Sequence, residues 1–394
     1  MKKIIILGAG IYQVPLIKCA KKLGYYSIVC SIEGDYPGFA YADKVYYINT
    51  TDKKAVLKVA QEEKVDGIVT AGTDVAVNTI GYVCDKLGLK GLSSASAEMV
   101  TDKSLMKKAF NEGGVSTAKY LEIKSKDDLI TSFSDLTFPL IIKAVDLSGS
   151  RGIVVVETKE KALSAFDEVM EATHKDYCII EEFIDGEEFG AQAFMYDGKM
   201  QFVLPHGDYV FQADTGIPIG HYAPYNMGDD IVKQAIEITE KAARALKIDN
   251  AAMNCDYILK DGKVYVIEIG ARSGATCLAE LVSIYYGLDY YEIILKAAMD
   301  EKPDFSKVRV SSGTPNASML LYKEQDGIIK SQDKNITDQK NVVDVSFDYK
   351  IGDTIHAFKN GTHRIGHLIV KGDTLEECEK LLHTCMDEIT IEVE

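Results

Sequence analysis

Apolar residues follow two rhythms in the first part of the chain. Short continuous runs, Ile4 to Leu7 and Tyr26 to Ser31, alternate with stretches where apolar positions recur every three or four residues: Val14 to Leu23, about Lys53 to Glu63, and about Asp74 to Leu87. The runs predict buried strands and the periodic stretches predict helices, with Gly24 closing the first. "VYYINT" and "DGIVTAG" supply two more strands. Strands alternating with helices of this length predict a parallel, doubly wound sheet ending near "GLSSASAEM".

Beyond it the texture changes. "TDKSLMKKAFNEGGVSTAKYLEI" reads as an N-capped helix followed by an extended link. "FPLIIKAVDLSGSRGIVVVETKEKALSAFDEVM" reads as strand, glycine-rich loop, strand and helix. "DYCIIEEFIDGEEFGAQAFMYDGKMQFVLP" predicts three strands in a meander, with "YDGK" as a hairpin turn. A helix, "DIVKQAIEITEKAARALKI", leads into a hairpin turning at "KDGK". The tail, from "ASMLLYKEQDGIIK" onward, predicts several strands and one helix, "TLEECEKLLHTCMDEI", as a separate lobe. The expected division is 1–95, 96–304 with a lid at about 118–187, and 305–394.

Length and charge narrow the function. A chain of 394 residues exceeds one small core. A formal net charge of −16 argues against nucleic-acid or anionic-membrane surfaces, which need a basic field. Eight cysteines without a C-x-x-C pair predict buried thiols in a reducing compartment. "MKKIIILGAG" is too short an apolar run for a signal peptide or a membrane span, and a cytoplasmic protein is expected.

Four stretches could carry chemistry. The turn "GAGIYQ" places Gly8 and Gly10 after the first strand, with Gln13 where a dinucleotide fingerprint has its third glycine, and Glu33 or Asp35 near the ribose-acid position. A tight structural turn, a substrate-side loop and an NAD site all stay open there. Lys143 ends "PLIIK" just before the small-residue loop "VDLSGSRG", which can be a plain hairpin loop or one whose backbone N–H groups approach phosphate. "CIIEEFIDGEEFG" is either a solvated strand edge or a hinge. In the hinge reading Glu181 and the Ile184 backbone meet an adenine edge and Glu188 meets a ribose.

The fourth stretch, "NCDYILKDGKVYVIEIGAR", is the most specific. A carboxylate closing a core strand needs a positive partner, since an unpaired buried charge is costly. Asp256 and Glu268 lie on neighbouring strands of one predicted hairpin and can converge on one face. Two adjacent acids suit a hard cation such as Mg²⁺, with Mn²⁺ as a second candidate, and Arg272 then stands where negative charge develops. The spacing of His363 and His367 in "HRIGH" separates them by more than about 10 Å on a strand, which disfavours zinc. "LPHGDYVFQADTGIPIGHYAPYN" reads as a long connection whose His206 and His221, together with Thr73 and Asp74 of "TAGTD", are candidate substrate contacts.

Taken in order, these stretches resemble the ATP-grasp superfamily, in the branch with carbamoyl-phosphate synthetase, biotin carboxylase and the ATP-grasp purine enzymes. The resemblance covers nearly the whole chain. It implies an α/β architecture with a pre-grasp parallel sheet, a two-lobed ATP-grasp unit and a small mixed C-terminal lobe. By that resemblance Lys103 and Lys143 reach the nucleotide, Ser148, Gly149, Ser150 and Gly152 form the lid loop, and Glu181, Ile184 and Glu188 hold adenosine. Asp256 and Glu268 would then bind metal, and Arg272 would be the catalytic-site arginine. Two departures stand out: the usual E-x-N-x-R strand has Gly270 in place of asparagine, and the C-terminal arginine pair of purine relatives is His363–Arg364, which discounts a phosphoribosyl substrate.

The chemistry implied is activation of a carboxylate by ATP as an acyl phosphate, followed by attack of an amine. The expected partners are small-molecule substrates, an amino-acid or small-peptide acid and amine in the leading reading, with a homodimer as a candidate assembly. Formate, bicarbonate or phosphoribosyl chemistry, and a non-catalytic nucleotide-binding subunit, are the alternatives.

Overall fold

The computed structural model describes residues 1–149, 151–212, 216–309, 313–333, 336 and 339–394. Four strands, β1 (Lys3–Leu7), β2 (Tyr26–Ser31), β3 (Lys44–Tyr47) and β4 (Gly67–Val69), form a wholly parallel sheet in the order β3-β2-β1-β4. The crossovers are α1 (Val14–Lys22) and α2 (Lys53–Glu63), and α3 (Val77–Leu87) follows β4. This is the expected doubly wound unit. Its strands are continuous apolar runs because both faces are covered, and Ile4, Ile5, Ile6 and Leu7 are fully buried.

Two helices follow, α4 (Ser94–Thr101) and α5 (Lys103–Gly113), where the sequence predicts one. Asp102 separates them: its extended backbone ends α4, and its carboxylate caps α5 by accepting from the Ser104 and Leu105 amides. Next comes a small antiparallel sheet of β5 (Tyr120–Ile123), β6 (Leu140–Ala144), β7 (Ile153–Val156) and β8 (Cys178–Glu182), ordered β5-β8-β6-β7. It is backed by α6 (Lys126–Ser132) and α7 (Lys159–Ala172).

The third sheet has eight strands. Its members are β9 (Glu187–Tyr196), β10 (Lys199–Phe211), β11 (Ile217–Ala223), β12 (Ala251–Lys260), β13 (Lys263–Gly270), β14 (Asn316–Leu321), β16 (Val342–Phe347) and β18 (Gly366–Lys371), with β15 (Gly327–Asp333) and β17 (Thr354–Ile355) set apart. The order is β13-β12-β9-β10-β11-β14-β18-β16. Helices α8 (Asp229–Ala245), α9 (Leu278–Tyr286) and α10 (Tyr290–Ala298) fall between its strands in sequence. A three-stranded sheet, β17-β15-β19, ends with β19 (Thr390–Val393) after α11 (Leu375–Glu388).

This architecture corrects three expectations. The predicted three-strand meander is divided, because β8 pairs with β5 and β6 whereas β9 and β10 form a hairpin in the large sheet. The stretch read as a long connection holds the end of β10 and all of β11, so His206 and His221 stand on paired strands. The tail is not separate at residue 305, since β14 pairs with β11 and continues the same sheet. One apolar core also joins the N-terminal sheet to the large one: Ile4, Leu16 and Val69 cluster with Tyr290, Ile294 and Phe194. Each of the eight cysteines is a buried free thiol. Among the described residues, no helix is long and apolar enough to cross a membrane.

Candidate active site

The acidic hairpin is formed as expected. On β12 and β13, Asp256 stands directly opposite Glu268. Register extends the row: Asp256 faces Gly190 on β9, and Gly190 faces His206 on β10. Cross-strand partners share a face, so Glu268, Asp256 and His206 project from one side of the sheet. Burial first, and then repulsion from Glu268, raise the Asp256 carboxyl well above the usual carboxylate range. Asn254 donates to Asp256 (Nδ2–Oδ1, 3.3 Å) and accepts from Gln192 (Nε2–Oδ1, 2.6 Å), linking the acid to β9.

Glu268 has the positive neighbour that its place on a core strand demands. Lys103, first residue of α5, lies 3.3 Å from Glu268 and also donates to the Leu147 carbonyl at 2.6 Å. That lysine therefore ties the β6–β7 loop to the acidic hairpin. Arg272, just past β13, is held by Asp74 through two bonds, Nε–Oδ1 at 2.9 Å and Nη2–Oδ2 at 2.7 Å.

A cavity of about 660 Å³ opens at this point. Lys103, Ser148, Glu268 and Asp74 line it, and Gly270, Arg151, Lys175 and His174 join them. The N-terminal unit contributes Lys53, Asn78 and Tyr82 to the same wall, and α4 adds Glu98. Asp256, Arg272, Thr73, Gly149 and Gly152 are not part of that wall, nor are Ile184 and the exposed Glu188. Ser150 lies outside the described residues.

Lys143 and Glu181 pair with each other and are not part of the cavity wall. Glu181 is 1% exposed, paired with Lys143 and with Lys107, whose Nζ is 2.7 Å away. Burial would push the Glu181 carboxyl up, but the two ammoniums overcome it and hold the group at about 2. Burial pushes Lys107 below the usual lysine range in spite of Glu181. The carboxylate that the hinge reading gives to adenine is thus already engaged by two ammoniums. Sequence reasoning missed Lys107; its signal was the i, i+4 spacing from Lys103 on a helix whose Met106 and Phe110 are buried.

The two histidines belong to another cluster. His206 (3.0 Å) and His221 (2.6 Å) both reach Asp208 Oδ1 through Nδ1, and His221 Nε2 meets the Thr276 hydroxyl at 2.5 Å. Hydrogen bonds tie this buried group together, but His206 Nε2 is left without a partner, and the three residues offer donor atoms within 4.8 Å of one another. Asp208, two residues from His206 on the same strand face, falls in the end of β10, the part of that strand that the sequence reads as a connection.

Two further expectations resolve. Arg364 is 6% exposed and locked on Asp348 (Nε–Oδ2, 2.7 Å) over the Tyr12 ring. Its charge is spent there, away from the cavity wall. The turn at Gly8 and Gly10 is filled by Gln13, which donates to the Ala71 carbonyl at 2.5 Å; a Cβ on Gly8 would meet that side chain at 3.0 Å. The glycines make room for the chain's own glutamine, which is the structural reading of that turn.

Comparison with known proteins agrees with this geometry. Residues 101–276 match the family model "phosphoribosylglycinamide synthetase, ATP-grasp (A) domain", and residues 319–394 match "L-amino acid ligase C-terminal domain 2". The crystal structure of phosphoribosylglycinamide synthetase from Anaerococcus prevotii is 36% identical, covers all of both chains and superposes with a TM-score of 0.88. The L-amino acid ligase of Bacillus licheniformis, 20% identical with 100% of this chain and 99% of that one covered, shares the fold with a TM-score of 0.84. Alanine–anticapsin ligase of Bacillus subtilis is 25% identical over 301 residues, 68% of this chain and 64% of that protein, so the match spans under two thirds of this curated relative. The full-length likeness at 36% identity, with an ATP-grasp model matched across the acidic hairpin and both lysines, shows that the chain belongs to the ATP-grasp family.

Proposed function

We propose that the protein is an ATP-dependent carboxylate–amine ligase, releasing ADP and phosphate. The observation that carries this reading is the convergence of Lys103, Glu268 and Asp74 on one cavity, with Arg272 held by Asp74 and Asp256 opposed to Glu268 just outside its wall. In this reading Lys103 and Lys143 hold the triphosphate, the loop with Ser148, Gly149 and Gly152 covers it, and Ile184 and Glu188 adjoin the adenosine, with Glu181 held by Lys107 and Lys143. Asp256 and Glu268 fit a divalent cation, because two hard oxygen donors in direct register carry charge that burial makes costly. When bound, Mg²⁺ or Mn²⁺ would neutralise phosphate charge there.

The chain's own residues do the remaining work. The substrate carboxylate oxygen attacks the γ-phosphorus, the bond from that phosphorus to the β,γ-bridging oxygen breaks, ADP leaves, and Lys103 and Arg272 offset the growing negative charge. The amine then attacks the acyl carbon, the C–O bond to phosphate breaks, and phosphate leaves with the proton that the amine nitrogen gives up. Because an acyl phosphate is lost to water, the small sheet carrying the 148–152 loop acts as a lid.

An amino-acid or small-peptide acid and amine is the leading substrate pair, supported by the L-amino acid ligase match over residues 319–394. A phosphoribosyl amine is the second reading, favoured by the relative from Anaerococcus prevotii. The locked Arg364 weighs against it. The deciding experiment is ADP release with Mg-ATP over pooled amino acids and small carboxylates, with and without amines, and mass spectrometry for the amide. Release requiring both an acid and an amino-acid amine supports the first reading; release requiring phosphoribosylamine supports the second. Tight ATP binding with silence in every pool sinks both.

A further inference from the structure

Gly270 ends β13, yet its backbone is not in the left-handed region that favours glycine. Space keeps the position bare. A Cβ placed there would lie 2.6 Å from Oδ1 of Asp74. Asp74 comes from the loop after β4, in the N-terminal unit, and its carboxylate enters beside Glu268, which shares a strand face with Gly270. The same carboxylate grips Arg272 through both oxygens. A backbone bond from Gly72 N to the Ser273 carbonyl, 3.1 Å long, fastens the same loop to the same turn.

We infer that Asp74 is the positioning residue of Arg272, and that Gly270 lacks a side chain so that this carboxylate can reach in from the N-terminal unit. The inference rests on the ligase reading for what Arg272 does. A bidentate pair fixes both the place and the plane of a guanidinium, and a displacement of about 1 Å at such a group costs roughly 100-fold in rate. Asp74 therefore acts through Arg272. It also makes the aim of Arg272 depend on the docking of the N-terminal unit.

The test moves the carboxylate from one strand to the other. Asp74→Ala removes it, Gly270→Asp crowds a second one against it, and Asp74→Ala/Gly270→Asp leaves one carboxylate in the same space, now carried by β13. The readouts are ADP release with Mg-ATP and pooled L-amino acids, affinity for methylanthraniloyl-ADP, and melting temperature. Each single change is expected to lower kcat about 100-fold while nucleotide affinity stays within about threefold. The double variant should regain at least about tenfold over both singles, which a merely structural role would not produce.

A double variant no faster than the slower single, or an Asp74→Ala protein with wild-type kcat, overturns the proposal. Asp74→Asn keeps the shape if a single variant does not fold; it should lose about tenfold, and full activity for it counts against the idea equally. A further readout needs no turnover: the exchange-protected Arg272 Nε–H resonance, identified by its loss in Arg272→Lys. It should vanish in Asp74→Ala and return in the double variant; persistence in Asp74→Ala overturns the proposal. Wild-type silence in the ADP assay sinks the ligase reading alone, because this resonance still decides whether Asp74 positions Arg272.

Discussion

Lys107 Nζ lies 2.7 Å from Glu181 Oε2, with both side chains almost wholly buried and Lys143 on the other carboxylate oxygen. The carboxyl titrates near 2 in the folded protein, against an ordinary glutamate value of 4.5. A depressed folded value means that the stabilisation is complete above pH 4.5 and is lost as pH falls toward 2. The difference corresponds to a contribution on the order of 3 kcal/mol. Glu181→Gln should therefore melt well below wild type at pH 7. The gap between the two should narrow from pH 4.5 downward and close near pH 2. A gap that stays constant with pH would show that the group is not ionised in the folded protein.

The two lysines around Glu181 should separate stability from ligand binding. Lys107 is not part of the cavity wall and serves the buried carboxylate, so Lys107→Ala leaves a poorly compensated charge and is expected to cost about 3–5 kcal/mol. Lys143→Ala leaves Glu181 with Lys107, and should weaken ATP binding at least about tenfold with a smaller drop in melting temperature. Calorimetric titration with ATP beside thermal melts checks both. Equal losses of stability in the two variants, with ATP affinity unchanged by Lys143→Ala, would remove Lys143 from the nucleotide site.

What the sequence made legible was local. The alternation of β1 to α3 and the "KDGK" hairpin rest on periodicity and turn residues, and with them came Asp256 and Glu268, whereas Lys103 came from the family resemblance. The His206–His221 stretch was misread because its glycines look like chain breakers. Within β10 and β11 they instead make room for neighbours: a Cβ on Gly207 would strike the Tyr222 ring, and one on Gly220 would approach Met319 Cα at 3.1 Å. Lys107, Asp208 and the Asp74–Arg272 pair stayed hidden because their partners arrive from other elements. Asp74 and Arg272 are 198 residues apart, and no spacing rule reaches that far.

Gly190 is a second position kept bare by a neighbour. It sits between Asp256 and His206 in the cross-strand row, and a Cβ there would lie 2.7 Å from His206 Nε2. Gly190→Ala must tilt the imidazole away, which strains its bond to Asp208. The expected loss is about 1–3 kcal/mol, the usual range for overpacking a filled core. Thermal melting at pH 7 checks it, and an unchanged midpoint would mean that His206 has room to move.

The last prediction concerns Glu268, because its charge has two roles. It anchors Lys103, and it stands opposite Asp256 where a cation fits. Glu268→Gln keeps the size and removes the charge, so Lys103 is freed and the acid pair loses its cation affinity. Loss of one charge-stabilising group in a preorganised site commonly costs about 100-fold in turnover. ADP release should therefore fall at least about 100-fold in Glu268→Gln, and raising Mg²⁺ should recover part of it, because a weaker site fills at higher concentration. Turnover near wild type would remove the metal role from this hairpin. A loss that Mg²⁺ cannot relieve would place the effect on Lys103, and Lys103→Met should then reproduce it.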